Sequence, residues 1–500
     1  MMQQGKPLEP MSSIDSFWLS MDEPTNLMVI TGLMEFDEPL DHDAVCALLR
    51  ERLLVYNRFR QRVVWPTSTL GRPFWDEDLN FDIQNHVIRM ALPTPRDKAT
   101  LQRMIGDLSV IQLDRNRPLW RAHIIENYGE GCVLFFRIHH AIADGIALIR
   151  LLLSMTDTQP NLSFRTAGES VEQPQTRRSR KKRPFALAAG PLDLFVRAAK
   201  TTLKTAARTT GAVYDEFTKT AAYPPYLSRL IRLYGRIGLE SATVLAKLAL
   251  MPSDSKTSLK GKLGIRKNVC WSPPLPLDDV KEIGLYFRCT VNDVLMAAVA
   301  GALREYLLDR GDDLADAELR VAIPVNVRPD SPDVELGNQF SLVLLSLPVN
   351  LDDPVRRLRE TRKRMRTLKE SADAFVGFQM LKIMGVPPRG ITKRGADFFS
   401  GKFTGVLSNV PGPRQPLFLT DKKIKNMMFW VPRSGEVALG VSIISYAGFV
   451  TLGIATDRRV APDPERITDA FGREFAELLK LARMDVLQRA PVRRRPAGRR

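Results

Sequence analysis

Twenty consecutive residues, Val437 to Thr456, carry no charge. A stretch of that length must leave water, either across a bilayer or inside a protein core. Its composition decides between the two. It is rich in Val, Ile and Thr, and Tyr446-Ala447-Gly448 interrupts it in the manner of a turn. β-Branched residues on both sides of a turn make the two buried strands of a hairpin, so no transmembrane helix is expected. The chain must then build a sheet able to bury that hairpin.

The remaining sequence alternates between the periods of strands and helices. Leu27–Phe36 reads as a strand, and Asp41–Val55 and Asp97–Leu113 read as helices. Trp120–Glu126 and Cys132–Ile138 read as two strands joined by a turn at Asn127–Gly131, followed by helical spacing over Ala143–Ser154. A polar, Pro-containing boundary at 156–184 leads to two amphipathic stretches, Pro191–Arg208 and Tyr226–Leu250. In the first, Leu192, Phe195, Val196, Ala199 and Leu203 share one face, with Arg197, Lys200, Lys204 and Arg208 on its flank. Arg229, Arg232 and Arg236 repeat the arrangement in the second. Such helices either lie in a membrane interface or cap a domain with their cations in water.

Beyond them, Val291–Arg310 and Asp353–Glu370 are helical, Leu319–Val325 and Phe340–Val349 are strand-like, and Val406–Asn409 ends a strand. Ile467, Ala470, Phe471, Phe475 and Leu478 form the stripe of a last helix. The expected architecture is α/β in two halves, 1–165 and 263–485, joined by a basic linker at 166–262 and followed by an Arg-rich tail at 486–500. A length of 500 residues suits two or three domains.

The formal charge of +17 raises the question of an anionic partner. Much of it sits in two clusters, Arg177 to Arg183 and Arg493 to Arg500, among Pro, Ser, Gln and Gly. That is the composition of solvated linkers and tails, open to anionic lipid. No zinc-finger, aromatic RNA-binding or basic-zipper pattern accompanies them, so nucleic acid is not expected as a partner. Cys46, Cys132, Cys270 and Cys289 are scattered without a C-x-x-C pair, which predicts neither a disulfide scaffold nor a cysteine-rich metal site. Residues 1–16 have no apolar core behind their first lysine, so an intracellular location is expected.

Several kinds of catalytic site are missing from the sequence. There is no G-x-S-x-G elbow, no phosphate-binding P-loop, no G-x-G-x-x-G and no H-E-x-x-H. The calcium-like Asp76-Glu77-Asp78 run lacks its glycine, replaced by Phe81, and has Val87 where the closing glutamate belongs. One stretch carries chemistry: His139-His140-Ala141-Ile142-Ala143-Asp144-Gly145, which holds two of the five histidines. The preceding strand delivers them to its C-terminal end, where α/β sheets place their sites. A histidine near its ordinary pKa of about 6.5 accepts a proton at neutral pH. Asp144 can hold the bend through a buried cation or backbone donors, and Gly145 allows a tight turn into the next helix.

At these residues the chain resembles the acyltransferases related to chloramphenicol acetyltransferase and to peptide-synthetase condensation domains, whose signature is H-H-x-x-x-D-G. Pro118-Leu119-Trp120 lies upstream, and Asn292-Asp293, Leu336-Gly337-Asn338-Gln339-Phe340-Ser341 and Ser408-Asn409-Val410-Pro411-Gly412-Pro413 follow in order. With the opening Met11-Ser12-Ser13-Ile14-Asp15, they look like the bacterial wax ester synthase/diacylglycerol acyltransferase family over residues 11–484. Arg121 stands where that family's pattern suggests an acidic residue.

The resemblance implies two chloramphenicol-acetyltransferase-like domains with a tunnel at their interface. It implies transfer of an acyl group from acyl-CoA to diacylglycerol or a long-chain alcohol, with no cofactor and no metal. His140 would be the general base, with His139 and Asp144 holding the geometry. Gly145, Asn292, Asp293, Ser408 and Asn409 would bind substrate or support the site. Oxyanion donors are each worth about 2.7–4 kcal/mol, and Asn292 and Ser408–Asn409 are the candidates. Asn292 is also a plausible helix N-cap and Ser408-Asn409 a strand-ending turn. Pro118-Leu119-Trp120 is expected to pack a strand entrance, and Arg328 to pair with Asp144. Lipid acceptors place the enzyme at the inner face of the membrane or at lipid inclusions. Two alternatives stand beside this: another hydroxyl acceptor, polyketide or carrier-bound, and a non-catalytic lipid-binding relative.

Overall fold

A computed structural model describes residues 8–66, 71–160, 251–326, 336–370 and 389–489. Two large mixed sheets dominate them. In the first, the strands Phe418–Leu419, Lys422–Trp430, Val29–Phe36, Gly131–His139, Trp120–Tyr128 and Val87–Ala91 lie in that order. In the second the order is Phe340–Leu347, Leu319–Asn326, Gly405–Pro411, Leu439–Tyr446, Phe449–Asp457 and Lys267–Trp271, with Leu275–Pro276 paired to Phe449–Asp457.

The uncharged stretch is the hairpin its composition predicts. Leu439–Tyr446 pairs antiparallel with Phe449–Asp457, and Ala447 and Gly448, both at positive φ, turn the chain. Central position explains the missing charges, since Leu439–Tyr446 also pairs with Gly405–Pro411 and helices cover one face. The paired helices Leu277–Tyr286 and Val291–Asp309 are apolar enough together to suggest a broken membrane span, but they meet at 98°. Val294 to Leu307 is buried largely in the second core, so this is a core helix pair. No single helix among the described residues is long and apolar enough to cross a membrane.

The sheets do not respect the expected halves. Lys422–Trp430 belongs by sequence to 263–485, yet it pairs with Val29–Phe36 and extends the first sheet. Trp430 buries itself there, its ring 5.7 Å from Trp271 and its indole N–H donated to the Cys270 carbonyl at 3.3 Å. The core of the first half thus runs on through Trp271, Trp430 and Ile444. The linker boundary at 262 also shifts. Residues 251–262 pack on the second half, with Leu259 in its core, and the buried Asp254 carboxylate accepts from the Arg320 N–H and the Thr404 hydroxyl. The amphipathic stretches at 191–208 and 226–250, and the Arg-rich tail from 490 onward, lie outside the described residues.

Candidate active site

Strand Gly131–His139, buried along its whole length, ends at the histidine pair. Helix Gly145–Met155 begins five residues after His140 and is capped by Asp144, whose Oδ1 accepts the Ala147 N–H at 2.9 Å. The turn between them is held by backbone: the His139 N–H donates to Leu119 O at 2.9 Å and the His140 N–H to Met28 O at 2.7 Å. Pro118-Leu119-Trp120 therefore serves packing, as expected. Leu119 and Trp120 are buried, and the Trp120 indole donates to Phe59 O at 2.9 Å.

His139 is buried and faces Asp22. Its Nδ1 accepts the Ala141 N–H at 3.1 Å, which leaves the proton on Nε2, 3.9 Å from Asp22 Oδ2. Asp22 is itself fixed by the Met28 N–H at 2.9 Å and Arg115 at 3.0 Å. Burial pushes the His139 pKa down to about 4, against the opposing pull of Asp22. The ring is a neutral brace at pH 7.

His140 lines a cavity. Its ring stacks on Trp18, with centroids 4.5 Å apart and planes at 24°, and Phe340 lies 5.4 Å away. Burial lowers the His140 pKa from the ordinary value, opposed by the nearby Asp144 carboxylate. A neutral, aromatic-clamped imidazole at a cavity wall can accept a proton. The cavity walls come from both halves: Trp18, Ile30, His140 and Gly145 from the first, and Asn326, Phe340, Ser408 and Asn409 from the second.

The second half also grips the histidine turn. Asn338 donates through Nδ2 to Asp15 Oδ1 at 2.7 Å and to the His140 carbonyl at 2.8 Å. The Gln339 N–H donates to Asp144 Oδ2 at 2.9 Å, and the Gly337 N–H donates to Ile142 O at 3.0 Å. Gly337 makes this close backbone pairing at φ +94°, where a side chain would be strained. Asp144 thus holds the bend through backbone donors, one of the two expected ways. Arg328, its expected partner, lies outside the described residues.

Three expected roles change. Asn292 is not a helix N-cap: Thr290 caps Val291–Asp309 and forms a reciprocal capping box with Asp293, which fixes Asp293 in a structural role. Asn292 instead accepts from Asn409 Nδ2 at 2.6 Å, so it stands behind Asn409, which lines the cavity. Ser408 and Asn409 are not in a turn but in strand Gly405–Pro411, in register with Ser442 and Ile443. Gly145 makes no tight turn. It is the first residue of the helix and is absent from the positive-φ glycines. A Cβ placed there meets nothing within 4 Å.

Sequence reasoning passed over Trp18, Asp22 and Arg115. No local pattern marks them, because each acts on the histidine turn from a distant segment. Asp15, Asn338 and Gln339 were visible as motif letters, but their contacts were not.

Two α/β halves sharing a cavity at an H-H-x-x-x-D-G turn define a class of two-domain acyltransferases. Solved structures share this fold. Over 95% of this chain and 99% of its own, the wax ester synthase/diacylglycerol acyltransferase from Marinobacter aquaeolei superposes with a TM-score of 0.64 at 22% identity. The first condensation domain of the calcium-dependent antibiotic synthetase gives 0.56 at 15% identity, covering 96% and 97%. Residues 11–295 match the wax ester synthase/diacylglycerol acyltransferase catalytic domain, and residues 336–479 match the WS/DGAT C-terminal domain. The chain belongs to this acyltransferase family. Relatives include a probable diacylglycerol O-acyltransferase of Mycobacterium tuberculosis, 28% identical over 91% of each chain. Another is the O-acyltransferase WSD of Acinetobacter baylyi, 26% identical over 94% of this chain and 96% of that one.

Proposed function

We propose that this protein transfers the acyl group of a long-chain acyl-CoA to the hydroxyl of diacylglycerol or a long-chain alcohol, with His140 as general base. The carrying observation is the placement of His140 in a largely apolar cavity, facing Ser408 and Asn409 of the other half. His140 takes the acceptor's proton as its oxygen attacks the thioester carbonyl. The tetrahedral oxyanion receives a hydrogen bond from the Ser408 hydroxyl or the Asn409 amide. The C–S bond then breaks, and the thiolate of coenzyme A takes the proton back from His140. Acyl-CoA enters as substrate, and no cofactor or metal takes part.

Such acceptors partition into membranes, so the protein works at the inner membrane face or on lipid inclusions. Helix Pro354–Glu370 supports this reading. It turns Arg356, Arg359, Arg362, Lys363, Arg366 and Lys369 outward while burying Leu358, Thr361 and Met365. Each cation near an anionic lipid surface contributes roughly 1 kcal/mol. Salt-sensitive sedimentation with phosphatidylserine vesicles, lost when Arg356, Arg359, Arg362 and Lys363 become Glu, is the expected result. Unchanged binding in that variant, abolished by removing 170–250, would move the contact to that segment.

The reaction is tested with purified protein, palmitoyl-CoA and either dipalmitoylglycerol or hexadecanol, following thiol release and lipid product. Triacylglycerol or wax ester from wild type, and almost none from a folded His140→Ala variant, is expected. Thiol release without ester would overturn the proposed acceptors, and no turnover by folded protein would overturn the reading.

A further inference from the structure

Beside the catalytic cavity lies a second one, between helix Gly145–Met155 and the first sheet. Ile30, Gly32, Met34, Phe136 and Ile138 form its floor, and Leu148, Leu152 and Met155 face them. Among the described residues, Thr31 is the one polar residue in its lining. The catalytic cavity, in contrast, also presents His140, Asp144, Asn326, Ser408, Asn409 and Ser434.

The two cavities share four wall residues: Ile30, Gly145, Val410 and Phe429. Gly145 stands where they adjoin. Its backbone is helical and not at positive φ, and no neighbour crowds a Cβ there, so neither conformation nor packing demands glycine. A side chain at 145 would project into the space that both cavities border.

From Gly145 the helix runs about 15 Å to Met155, at roughly 1.5 Å per residue. At that far end Leu53 joins Met34 and Met155 in the lining, and the Arg52–Asp157 ion pair at 3.1 Å ties the flanking segments together. The lining is thus almost wholly apolar and extends along the helix from Gly145, which the catalytic cavity also borders, to Leu53, Met34 and Met155. A hydrocarbon chain fills such space favourably, since every methylene leaves water and recovers packing contacts.

We infer that this chamber takes the hydrocarbon tail of one of the two substrates, threaded past Gly145, and that Met34, Leu53 and Met155 set the longest tail accepted. The inference rests on the proposed acyl transfer and adds to it the place and length limit of a chain. Saturated tails occur on both the acyl donor and the alcohol acceptor, and the experiment separates them.

Specificity profiles are measured with acyl-CoAs of eight to eighteen carbons at fixed hexadecanol, and with alcohols of the same lengths at fixed palmitoyl-CoA. Leu53→Trp, which shortens the chamber, is expected to lower the sixteen-to-eight-carbon ratio of kcat/KM at least tenfold in one series only. Met155→Ala is expected to move the same series towards longer chains, and Gly145→Val to depress its long members most. A change among donors assigns the chamber to the acyl tail, and a change among alcohols assigns it to the acceptor. Profiles unaltered in both series, in variants with wild-type circular dichroism, would overturn the inference. If wild type transfers nothing, calorimetric titration with palmitoyl-CoA and with hexadecanol still decides. Binding to wild type that weakens at least tenfold in Leu53→Trp supports the chamber even as the reaction fails, and equal or absent binding removes it.

Discussion

The two halves supply the site in different ways. The first contributes its reactive groups as one contiguous turn, His139 to Gly145, which joins a strand end to a helix capped by Asp144. The second contributes separated pieces, Gly337–Gln339 and Ser408–Asn409, that come together only because two strands of its sheet and one loop converge on that turn. Asn338 is the stitch, bonded at once to Asp15 and to the His140 carbonyl. Chemistry that needs a base can be encoded locally, whereas chemistry that needs a surrounding wall cannot.

The largest effect should come from the contiguous turn. His140→Ala is expected to lower kcat by about 10²–10⁴, the usual contribution of a positioned general base, while the circular dichroism spectrum is kept. A loss below tenfold would assign the proton transfer to another group and dissolve the contrast between the halves.

Next comes the wall. Asn409→Ala is expected to lower kcat by about 10²–10³ with little change in KM if it donates to the oxyanion. Asn292→Ala, acting only by releasing Asn409, should lose roughly tenfold less, on the same reasoning. Equal losses in the two would place Asn292 at the substrate itself.

The stitch should matter to stability as well as rate. Asn338→Ala leaves the Asp15 carboxylate and the His140 carbonyl without their shared donor, and each unsatisfied buried group costs about 1–3 kcal/mol. Burial already raises the Asp15 pKa, with the Asn338 amide working against it. Thermal denaturation should therefore show a lower Tm together with a lower kcat. A lower Tm with full activity would reduce the stitch to scaffolding.

The smallest effect is on pH dependence. His139 and His123 have pKa values pushed down to about 4 by burial, against an ordinary 6.5. Above pH 6.5 neither the folded nor the unfolded chain protonates them. Between 6.5 and 4 the unfolded chain takes up protons that the folded chain refuses, so stability falls as pH falls through that window. Tm measured from pH 7.5 to 5 should decline, and His123→Phe should flatten the slope. The His140 pKa is lowered too, so the acid limb of kcat/KM should lie below pH 6.5.

Much of this was legible in the sequence, and the parts that were not share a cause. The Val437–Thr456 hairpin, the strand ending at His139 and helix Val291–Asp309 follow from periodicity and turn residues, which act over a few positions. Asn292 reads locally as a helix cap, because a cap and a contact from a helix to a neighbouring strand use the same amide. Thr290, two residues earlier, already filled the cap.

By itself, then, the sequence determined the reactive turn, the buried hairpin, the alternating elements and the family they resemble, since each is written in neighbouring residues. Only the tertiary structure decided that Lys422–Trp430 crosses to complete the first sheet, that Asn338 clamps the histidine turn, and that Gly145 borders two cavities. Those depend on which surfaces meet when apolar faces are buried, and segments hundreds of residues apart carry no local record of that meeting.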